Sequence, residues 1–491
     1  MSELFDERRN KLLSLRKEGI DPFPRAFENR LPIAAALAQV DSEPKVRARV
    51  AGRVMRRRNF GQLLFVDLVD QSGRLQVMVQ KQALRLHDCV RRFLDDGDFL
   101  GVEGSLGRSK TGEPSLFADS GEILSKALRP VPEKWHGLTD VELRYRHRYV
   151  DLFANPEVRR SFEFRSRVIA DLRSILQQRG FLEVETPILH PIAGGALARP
   201  FITHHNTLDM RLFLRIAPEL YLKRLIVGGF EKVFEVGRVF RNEGISPRHN
   251  PEFTMLELYW AYVDYRAIMD LTEEIIVDLA RRHCPDSRTT LGERSIVLAA
   301  PFARRRYHEL ISEHALIDPS DSEAVRRKAR ALDIDERTLP DAKVLNEVFE
   351  ETVEPFLIAP TFVTHYPAAI CPLAKCSAEE PELAERFELF INGWEIANAF
   401  SELNDPLDQR RRFEDQVRSK DPEVPGEVDE DYLCALEHGM PPAGGLGIGI
   451  DRLLMVLGGF LSIRDTILFP LRRPLASDGG EGTIAPSVDP S

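Results

Sequence analysis

Residues 234–262 combine two β-type runs with a long polar connection, and their sequence is FEVGRVFRNEGISPRHNPEFTMLELYWAY. The runs cover residues 234–240 and 252–261, and the connection between them is rich in Gly, Pro, Asn and charged side chains. Runs of β-branched and aromatic residues bounded by turn-forming residues indicate strands, and long loops often carry functional side chains. The stretch therefore predicts two antiparallel strands joined by a long functional loop.

One face of these two strands is predicted to carry polar and aromatic groups instead of aliphatic ones. Because side chains alternate between the faces of a strand, Phe253, Glu257 and Tyr259 share one face, and Arg241 and Glu243 share a parity at the loop mouth. A guanidinium binds two oxygens of a phosphate or carboxylate, and a ring can stack on a base. The face is therefore predicted to bind a ligand; the alternative is a solvated hairpin with scattered charge.

The chain has 491 residues, too many for a single hydrophobic core, and changes of pattern divide it into segments. The predicted class is α+β. The predicted segments are an N-terminal helical extension (1–44), a small barrel (45–128), a Pro-rich and then basic linker (129–150), a large domain (151–474) with an inserted subdomain at about 285–345, and a disordered Gly/Ser/Pro-rich tail (475–491).

Composition bounds the location and the partners of the chain. Five scattered cysteines indicate reduced thiols, and no apolar run is long enough to span a membrane. The N-terminus MSELFDERRNKLLSL is charged and lacks the apolar core of a signal peptide. We therefore expect a cytoplasmic protein that does not enter a membrane. The net charge of −10 argues against wholesale polyanion binding without excluding a local basic face.

The hydrophobic pattern changes to a period of two from residue 45 onward. Valines and alanines alternate with arginines in KVRARVAGRV, and further β-type runs follow at 62–69, 74–79, 99–106 and 115–124, with a helical stretch at 84–94. Five short strands with one helix between the third and the fourth match a small OB-type barrel.

Barrels of this kind bind single-stranded nucleic acid by stacking bases on aromatic side chains beside a basic groove. Phe65 and Gln76 lie in the second and third predicted strands, and Arg74 and the arginines at 56–58 supply positive charge. The alternative is that Phe65 belongs to the barrel core and that the arginines are merely solvated.

The segment RFELFINGWEIANAFSEL contains an Asn-Gly dipeptide at 392–393 between two β runs, the strongest short signal for a β-hairpin. A two-residue turn there would pair Glu388 with Ala397 and Phe390 with Glu395. Glu388 and Glu395 would then be diagonal neighbours on one face, about 7–8 Å apart along the backbone. Their carboxylates could converge on a shared cation, which would explain why two like charges are tolerated so close together.

The segment GGLGIGIDRLLMVL predicts a Gly-rich strand that leads into a helix. Arg452 falls in the first turn of that helix, where both the guanidinium and the helix N-terminus favour an anion. A lone Gly-rich turn is weak evidence, but two other anion-binding segments accompany this one.

Five motifs, in this order, resemble those of class II aminoacyl-tRNA synthetases, and specifically the bacterial lysyl-tRNA synthetases: GGALARPFITHHN, LRIAPELYLKRL, VFRNEGISPRHNPEFTMLELYWAY, NAFSELND and GGLGIGIDR. The resemblance implies an antiparallel active-site sheet flanked by helices, an N-terminal OB-fold domain that reads the anticodon, and a homodimer. It further implies that the chain activates L-lysine with ATP and transfers it to tRNA(Lys), with two or three Mg²⁺ ions bound alongside ATP.

The resemblance assigns roles only to matching positions. It implies that Arg241 and Arg452 are the catalytic cations, with Arg241 bridging the amino-acid carboxylate and the α-phosphate. The implied ATP-binding residues are Arg241, Glu243, His249, Asn250, Phe253 and Arg452. The implied lysine-binding residues are Gly195, Glu219, Glu257, Tyr259, Asn398, Phe400 and Glu402.

The remaining implied roles concern metal and anticodon. Mg²⁺ would bind Glu388 and Glu395, and anticodon bases would contact Phe65 and Gln76. Ser120 stands where the family has a glutamate in the last barrel strand, and Glu122 follows two residues later.

The implied lysine pocket conflicts with a regular hairpin. Strict alternation places Asn398, Phe400 and Glu402 on the face opposite Glu388 and Glu395, although the family requires all of them in one pocket. We therefore predict an irregularity near residue 397, most simply a β-bulge, which active sites often contain.

Two other functions remain open at this point. A sister synthetase for aspartate or asparagine would need a cation in its side-chain pocket, whereas Glu402 and Glu257 favour a cationic substrate. A non-enzymatic tRNA-binding relative would be expected to lose Arg241, Arg452 or an acidic metal ligand, and all are present. ATP–pyrophosphate exchange with each amino acid would separate the three.

Overall fold

The computed structural model describes residues 3–131, 140–419 and 426–472. The chain forms two compact units, one of residues 1–144 with 149–154 and the other of residues 145–148 with 155–491. Part of the predicted linker, residues 132–139, and the whole predicted tail lie outside the described residues. In the described ranges, no helix combines the length and the apolar character needed to cross a membrane.

The first unit contains a closed barrel with the strand order β1-β2-β3-β5-β4. Its elements are α1 (Glu3–Lys17), α2 (Ile33–Leu37), β1 (Arg47–Phe60), β2 (Leu63–Val69), β3 (Arg74–Gln80), α3 (Leu84–Phe93), β4 (Phe99–Arg108) and β5 (Pro114–Ser125). The predicted OB-type barrel, with its helix between the third and fourth strands, is confirmed.

Alternation along the strands decides which side chains fill the barrel. Val50 of β1, Leu64 and Val66 of β2 and Val77 of β3 lie in its core. A register shift in β1 between Val54 and Arg56 then changes which residues of that strand face outward. The end of β1 therefore presents its even-numbered residues on the outer face, next to the odd-numbered residues of β2.

The region after the barrel contains α4 (Val141–Arg146) and α5 (Arg148–Ala154). The following elements are α6 (Pro156–Gln178), β6 (Leu182–Glu183), β7 (Leu189–His190), β8 (Ile202–His205), β9 (Met210–Leu214), α7 (Glu219–Val227), β10 (Lys232–Phe240), β11 (Glu252–Ala261), α8 (Tyr265–His283), β12 (Arg288–Leu291), β13 (Arg294–Val297), β14 (Ala303–Arg306) and α9 (Tyr307–His314). The remaining elements are α10 (Ser322–Ala331), α11 (Asp341–Thr352), β15 (Thr361–Thr364), β16 (Arg386–Ile391), β17 (Trp394–Ser401), α12 (Pro406–Ser419), α13 (Glu430–Glu437), β18 (Ala443–Gly449) and α14 (Ile450–Gly458).

The second unit is built on an eight-stranded sheet with the order β14-β15-β16-β17-β18-β11-β10-β6. The inner neighbours pair antiparallel, and only the two edge pairs, β14 with β15 and β10 with β6, are parallel. The predicted antiparallel sheet is thus confirmed. A separate three-stranded sheet is formed by β7, β9 and β8.

The largest hydrophobic cluster of this unit lies on one face of the large sheet. Leu172 of α6, Ile275 of α8 and Leu453 of α14 pack there against Leu256 of β11 and Leu389 of β16. The opposite faces of β11, β16, β17 and β18 are left for the polar side chains that line a cavity.

Residues 285–345 do not form the single inserted subdomain that their polar composition suggested. The β12–β13 hairpin packs on α14, where the Thr289 hydroxyl donates to the Val456 carbonyl over 2.5 Å, and β14 is an edge strand of the large sheet. Helices α9, α10 and α11 share a core cluster with Phe390 of β16. The segment is therefore distributed over the second unit, because its apolar residues complete the surfaces of the sheet.

Candidate active site

Strands β10 and β11 form the hairpin predicted from residues 234–262, and β11 spans the predicted bounds. Leu256 and Leu258 point into the core, whereas Phe253, Glu257 and Tyr259 line a cavity of about 520 Å³. The predicted sharing of one face is confirmed. The Tyr259 hydroxyl donates to Glu257 Oε2 over 3.3 Å, which orients the two buried groups toward each other.

The β16–β17 hairpin agrees with the predicted register only next to its turn. Phe390 pairs with Glu395 as expected, but Glu388 pairs with Asn398 and not with Ala397, so that part of the prediction is wrong. The shift arises because consecutive residues Ile396 and Ala397 both enter the core, which is the geometry of a β-bulge.

The predicted bulge is thereby confirmed, one residue from its expected place. Its consequence is that residues from both sides of the irregularity line the same cavity, namely Glu388, Glu395, Asn398, Phe400 and Glu402. A regular ladder would have kept these side chains on opposite faces of the sheet.

The glycines of β18 form one wall of the cavity. Gly445 pairs with Tyr259 on one side and with Phe400 on the other. A Cβ at Gly445 would lie 2.0 Å from Glu402 Oε1 and 2.6 Å from the Tyr259 ring, so any side chain there would displace both groups. The absence of a side chain at Gly445 therefore leaves room in the cavity for the Glu402 and Tyr259 side chains.

A second glycine, Gly195, lies close to Glu219, which is one of the predicted lysine-binding residues. Gly195 has φ +88°, a left-handed conformation, and a Cβ there would lie 3.1 Å from the Cβ of Glu219. Gly195 and Glu219 thus lie together at the cavity wall, as the motif resemblance implied.

Glu219 and Glu402 converge on a lysine that the sequence reasoning did not single out. Lys223 is completely buried, its Nζ lies 2.6 Å from Glu219 Oε1, and it also forms an ion pair with Glu402. The Phe400 ring centroid is 5.3 Å from the same Nζ. The spacing of Glu219 and Lys223 by four residues, which places them on one helix face, was the available signal.

The electrostatics of this pocket follow from its burial. Burial works against the charge of Lys223, but Glu219 and Glu402 outweigh it and raise the lysine pKa. Burial also raises the pKa of Glu402 to about 8 against the lowering effect of Lys223, and it raises the pKa values of Glu219 and Glu257. Glu219 and Glu402 therefore share the ammonium of Lys223, while Glu257 is influenced by Glu219 and by Arg241.

Arg241 lies at the mouth of the cavity with its guanidinium 5.2 Å from the Phe253 ring centroid. Its Nε is buried and, among the described residues, has no hydrogen-bond partner. Burial lowers the pKa of Arg241, while Glu395 and Glu243 raise it. A guanidinium with a buried and unsatisfied N–H is expected to bind an anion.

Arg452 approaches the same cavity from the first turn of α14. Its guanidinium donates to the Glu395 carbonyl over 2.9 Å and to His249 Nε2 over 3.0 Å. The helix start is held by Asp451, whose Oδ2 accepts from the Thr254 backbone N–H over 2.7 Å. Asp451, which the sequence reasoning missed, thus positions Arg452 relative to β11.

The rest of the predicted ATP set lies in or beside the 241–252 loop. His249 Nδ1 contacts Ser246 Oγ at 2.8 Å, and Asn250 Nδ2 donates to the Glu252 carbonyl over 2.6 Å. Glu243 is exposed at the cavity mouth. The structure therefore brings all predicted ATP-binding and lysine-binding residues to one cavity, and the identity of each contact remains a prediction.

Acidic side chains gather on the β16–β17 side of the cavity. Glu388 is half-buried, accepts from the Tyr366 hydroxyl over 2.7 Å and pairs with Arg386. Glu350 and Glu354 of the α11 region also line the cavity, although the sequence reasoning did not identify them. Burial, and secondarily neighbouring carboxylates that include Glu388, raises the pKa of Glu350 to about 7 and that of Glu354 to about 8.

These oxygen donors fit a hard cation such as Mg²⁺. In the described part of the chain, no three His, Cys, Asp or Glu side chains are arranged to hold a metal by themselves. Mg²⁺ does not require three protein side chains, because it commonly binds one or two carboxylates together with substrate phosphates. Glu388 and Glu395 face the cavity in a way that fits this second arrangement.

The barrel unit carries the second predicted site. Phe65 is half-buried and lies outside the barrel core, so the alternative that it is a core residue is wrong. Gln76 is buried, and its Oε1 accepts from the Ser115 hydroxyl over 3.0 Å. Arg58 and Arg74 both pair with Asp67, at 3.4 and 3.1 Å. Phe65 therefore lies on the outer barrel face beside basic side chains, whereas Gln76, which pairs with Asp67 in the neighbouring strand, is buried at its Ser115 contact.

Two known protein families match this chain, and their matches cover the two regions that contain the predicted sites. The family described as tRNA synthetases class II (D, K and N) matches residues 140–473, and the family described as OB-fold nucleic acid binding domain matches residues 48–124. The chain belongs to the class II aminoacyl-tRNA synthetases, in the group that serves aspartate, lysine and asparagine.

Three curated relatives narrow the assignment, and each is a lysine–tRNA ligase. The protein of Carboxydothermus hydrogenoformans is 52% identical over 482 residues, covering 96% of this chain and 99% of that protein. Those of Pelotomaculum thermopropionicum and Magnetococcus marinus are 52% and 50% identical, covering 96% and 94% of this chain and 96% and 95% of the relatives. The chain belongs to the lysine–tRNA ligase family, which confirms the resemblance drawn from its motifs.

Proposed function

We propose that this protein activates L-lysine with ATP to form lysyl-adenylate and pyrophosphate, and then transfers the lysyl group to the 3′ end of tRNA(Lys) in the cytoplasm. The main support for lysine as the amino-acid substrate is the charge of the buried pocket. Glu219 and Glu402 pair with a single buried ammonium, Lys223, and Glu257 lines the same cavity. When these three carboxyl groups are ionised they outnumber the ammonium of Lys223, and lysine brings two further ammonium groups.

The same pocket argues against the rival substrates. The carboxylate of aspartate or the amide of asparagine would meet three buried carboxyl groups, with Lys223 already engaged. A like charge without compensation in a buried site is strongly unfavourable. The non-enzymatic alternative also loses support, because Arg241, Arg452 and the carboxylates all converge on one cavity.

Adenylate formation joins two anions, since the lysine carboxylate attacks the α-phosphate and pyrophosphate leaves. In our proposal Arg241 contacts both the carboxylate and the α-phosphate, and Arg452 stabilises the departing pyrophosphate. Phe253 stacks on adenine, while Glu243, His249 and Asn250 fix the nucleotide. The chain supplies orientation and preorganised positive charge, and no covalent intermediate with a side chain is required.

We assign Mg²⁺, in two or three ions with ATP, to the acidic side of the cavity. Glu388 and Glu395 would hold it, with the remaining ligands coming from phosphate oxygens and water. When bound, it would neutralise charge on the phosphates during the displacement. Glu388 also pairs with Arg386, which works against the rise in the Glu388 pKa that burial causes.

The test of the proposed function is lysine-dependent ATP–pyrophosphate exchange. We expect exchange with lysine and none above background with aspartate, asparagine or arginine, followed by lysylation of a tRNA(Lys) transcript. Exchange that is stimulated equally by aspartate would overturn the assignment of the pocket, and the absence of exchange with every amino acid would overturn the enzymatic function.

Lysine affinity is expected to rise with pH. Burial raises the pKa of the Glu402 carboxyl to about 8 against the lowering effect of Lys223, so near neutral pH this carboxyl must release a proton before it can serve Lys223 and the substrate ammonium together. Affinity should therefore increase by up to about tenfold per pH unit below that pKa and level off above it. Calorimetry between about pH 6 and 8.5, in two buffers with different ionisation enthalpies, measures the released proton directly. A pH-independent affinity without proton release would contradict the pocket electrostatics.

The outer barrel face is proposed to bind the anticodon through Phe65 and Gln76. Phe65→Ala should weaken binding of a tRNA(Lys) transcript by about 1–3 kcal/mol, the usual effect of losing one stacking side chain. Lysine-dependent exchange without tRNA should be unchanged, since the substitution lies outside the active-site unit. Unchanged tRNA binding would remove Phe65 from the interface.

We further propose that the protein is a homodimer built partly on the segment 182–210. This segment exposes an unusual series of apolar residues for a solvated surface, namely Leu182, Ile188, Leu189, Ile202, Leu208 and Met210. Ile202→Asp is expected to shift the sedimentation coefficient from dimer toward monomer at micromolar concentration. Leu84→Asp, at a position in α3 that is 71% exposed, is the matched control. A wild-type protein that sediments as a monomer would contradict the proposal.

A further inference from the structure

The aromatic character of the outer barrel face extends beyond Phe65. Phe60, at the end of β1, is 67% exposed, and its ring meets the Phe65 ring edge-to-face with centroids 5.7 Å apart. Arg58 pairs with Phe65 across the β1–β2 ladder, and its guanidinium lies 5.5 Å from the Phe65 centroid. Two rings and a cation thus form a continuous surface on this face.

The tip of this hairpin is held in one conformation. Asn59 Oδ1 accepts from the Gly61 backbone N–H over 3.0 Å, and Gly61 adopts φ +70°, which a side chain would oppose. Phe60 pairs with Leu63, so the ladder continues to the end of the strand. Ring contact and turn together limit the freedom of Phe60, and less entropy is therefore lost when a ligand stacks on it.

A single exposed apolar residue is ordinary on a protein surface and needs no explanation by itself. Phe60 differs in its surroundings, since it adjoins the ring already proposed to stack on a base and lies beside basic side chains. Surfaces that bind single strands combine successive aromatic platforms with positive charge. The arrangement matches that requirement better than it matches the apolar patch of a protein interface.

We propose that Phe60 is a second base-stacking residue, which takes a nucleotide of the anticodon loop adjacent to the one on Phe65. The inference rests on the proposed tRNA function and adds a residue to its RNA-binding surface. The two rings meet edge-to-face, so the two bases would lie at an angle to each other and the loop would have to be splayed open, as in other single-stranded RNA recognition.

The test is the affinity of the full-length protein for an unmodified tRNA(Lys) transcript, titrated at several salt concentrations. Phe60→Ala should weaken binding about tenfold, Phe60→Tyr should retain most of it, and Phe60→Leu should not, because stacking requires a ring. The slope of log Kd against log salt should stay as in the wild type, since no phosphate contact is lost. Leu84→Ala, an exposed apolar residue of the same unit, is the control.

The outcomes separate this inference from the function on which it rests. If Phe65→Ala weakens binding and Phe60→Ala matches Leu84→Ala, Phe60 does not stack and only the further inference fails. If neither phenylalanine matters, the proposed anticodon surface fails as well. A changed salt slope in Phe60→Ala, or equal losses in the Tyr and Ala variants, would show that the residue acts by positioning the arginines and would overturn the stacking role.

Discussion

Glu402→Gln is expected to weaken lysine binding by about a hundredfold or more while ATP binding changes little. Removing one member of a buried ion pair costs about 3–5 kcal/mol, because its partner remains buried without compensation. In the occupied pocket that partner is the substrate ammonium, and Lys223 retains Glu219 at 2.6 Å. The substitution should therefore lower the affinity for the amino acid and not the affinity for the nucleotide, whose proposed contacts lie elsewhere in the cavity.

A comparison of lysine with norleucine isolates the charge from any general damage to the pocket. The two ligands differ in the ε-ammonium, so the preference for lysine should largely collapse in Glu402→Gln. Glu382→Gln, at an exposed position that does not line the cavity, is the matched control and should preserve the preference. A variant that keeps the full preference, or that loses lysine and ATP affinity equally, would refute the role of Glu402. Thermal unfolding of each variant verifies that the fold is retained.

Arg241→Ala is expected to lower kcat for lysine-dependent exchange by about a hundredfold to a thousandfold, the usual effect of removing one preorganised donor to developing charge. Arg241→Lys should recover little, because an ammonium cannot span a carboxylate and a phosphate as the guanidinium fork can. The basis is the half-buried guanidinium, whose buried Nε has no hydrogen-bond partner in the described residues.

Arg238→Ala provides the control for this experiment, since Arg238 lies in β10 three residues before Arg241, pairs with Glu252 at 3.6 Å and does not line the cavity. It should leave exchange close to the wild type. The division between kcat and KM is the deciding measurement. A raised KM with an unchanged kcat would mean that Arg241 binds substrate and transition state equally, which would contradict its catalytic assignment.

Much of the active-site surface could be predicted from local pattern. Alternation along β11 placed Phe253, Glu257 and Tyr259 on one face, and the structure confirms it. The Asn-Gly turn gave the correct pairing of Phe390 with Glu395. These features depend on neighbouring residues and on a two-residue period, so a single sequence contains the information needed to derive them.

Other features depended on how distant elements pack. The ladder shifts because Ile396 and Ala397 both fill the core, and the space that admits them is shaped by helices far away in the chain. The division of residues 285–345 among a hairpin, a sheet edge and a helical cluster has the same cause. Polar composition alone cannot reveal which surfaces a segment will cover.

The family, the sheet, the barrel and most residues of the cavity could be predicted from residue order, because motifs and alternation are local properties of the chain. The charge balance of the lysine pocket could not, because it depends on Lys223. Glu219 and Lys223 are neighbours on one helix, but the contact of Lys223 with Glu402 joins segments that only folding brings together. Charge compensation in a buried site is set by distances through space and by the exclusion of water, and neither can be read from residue order.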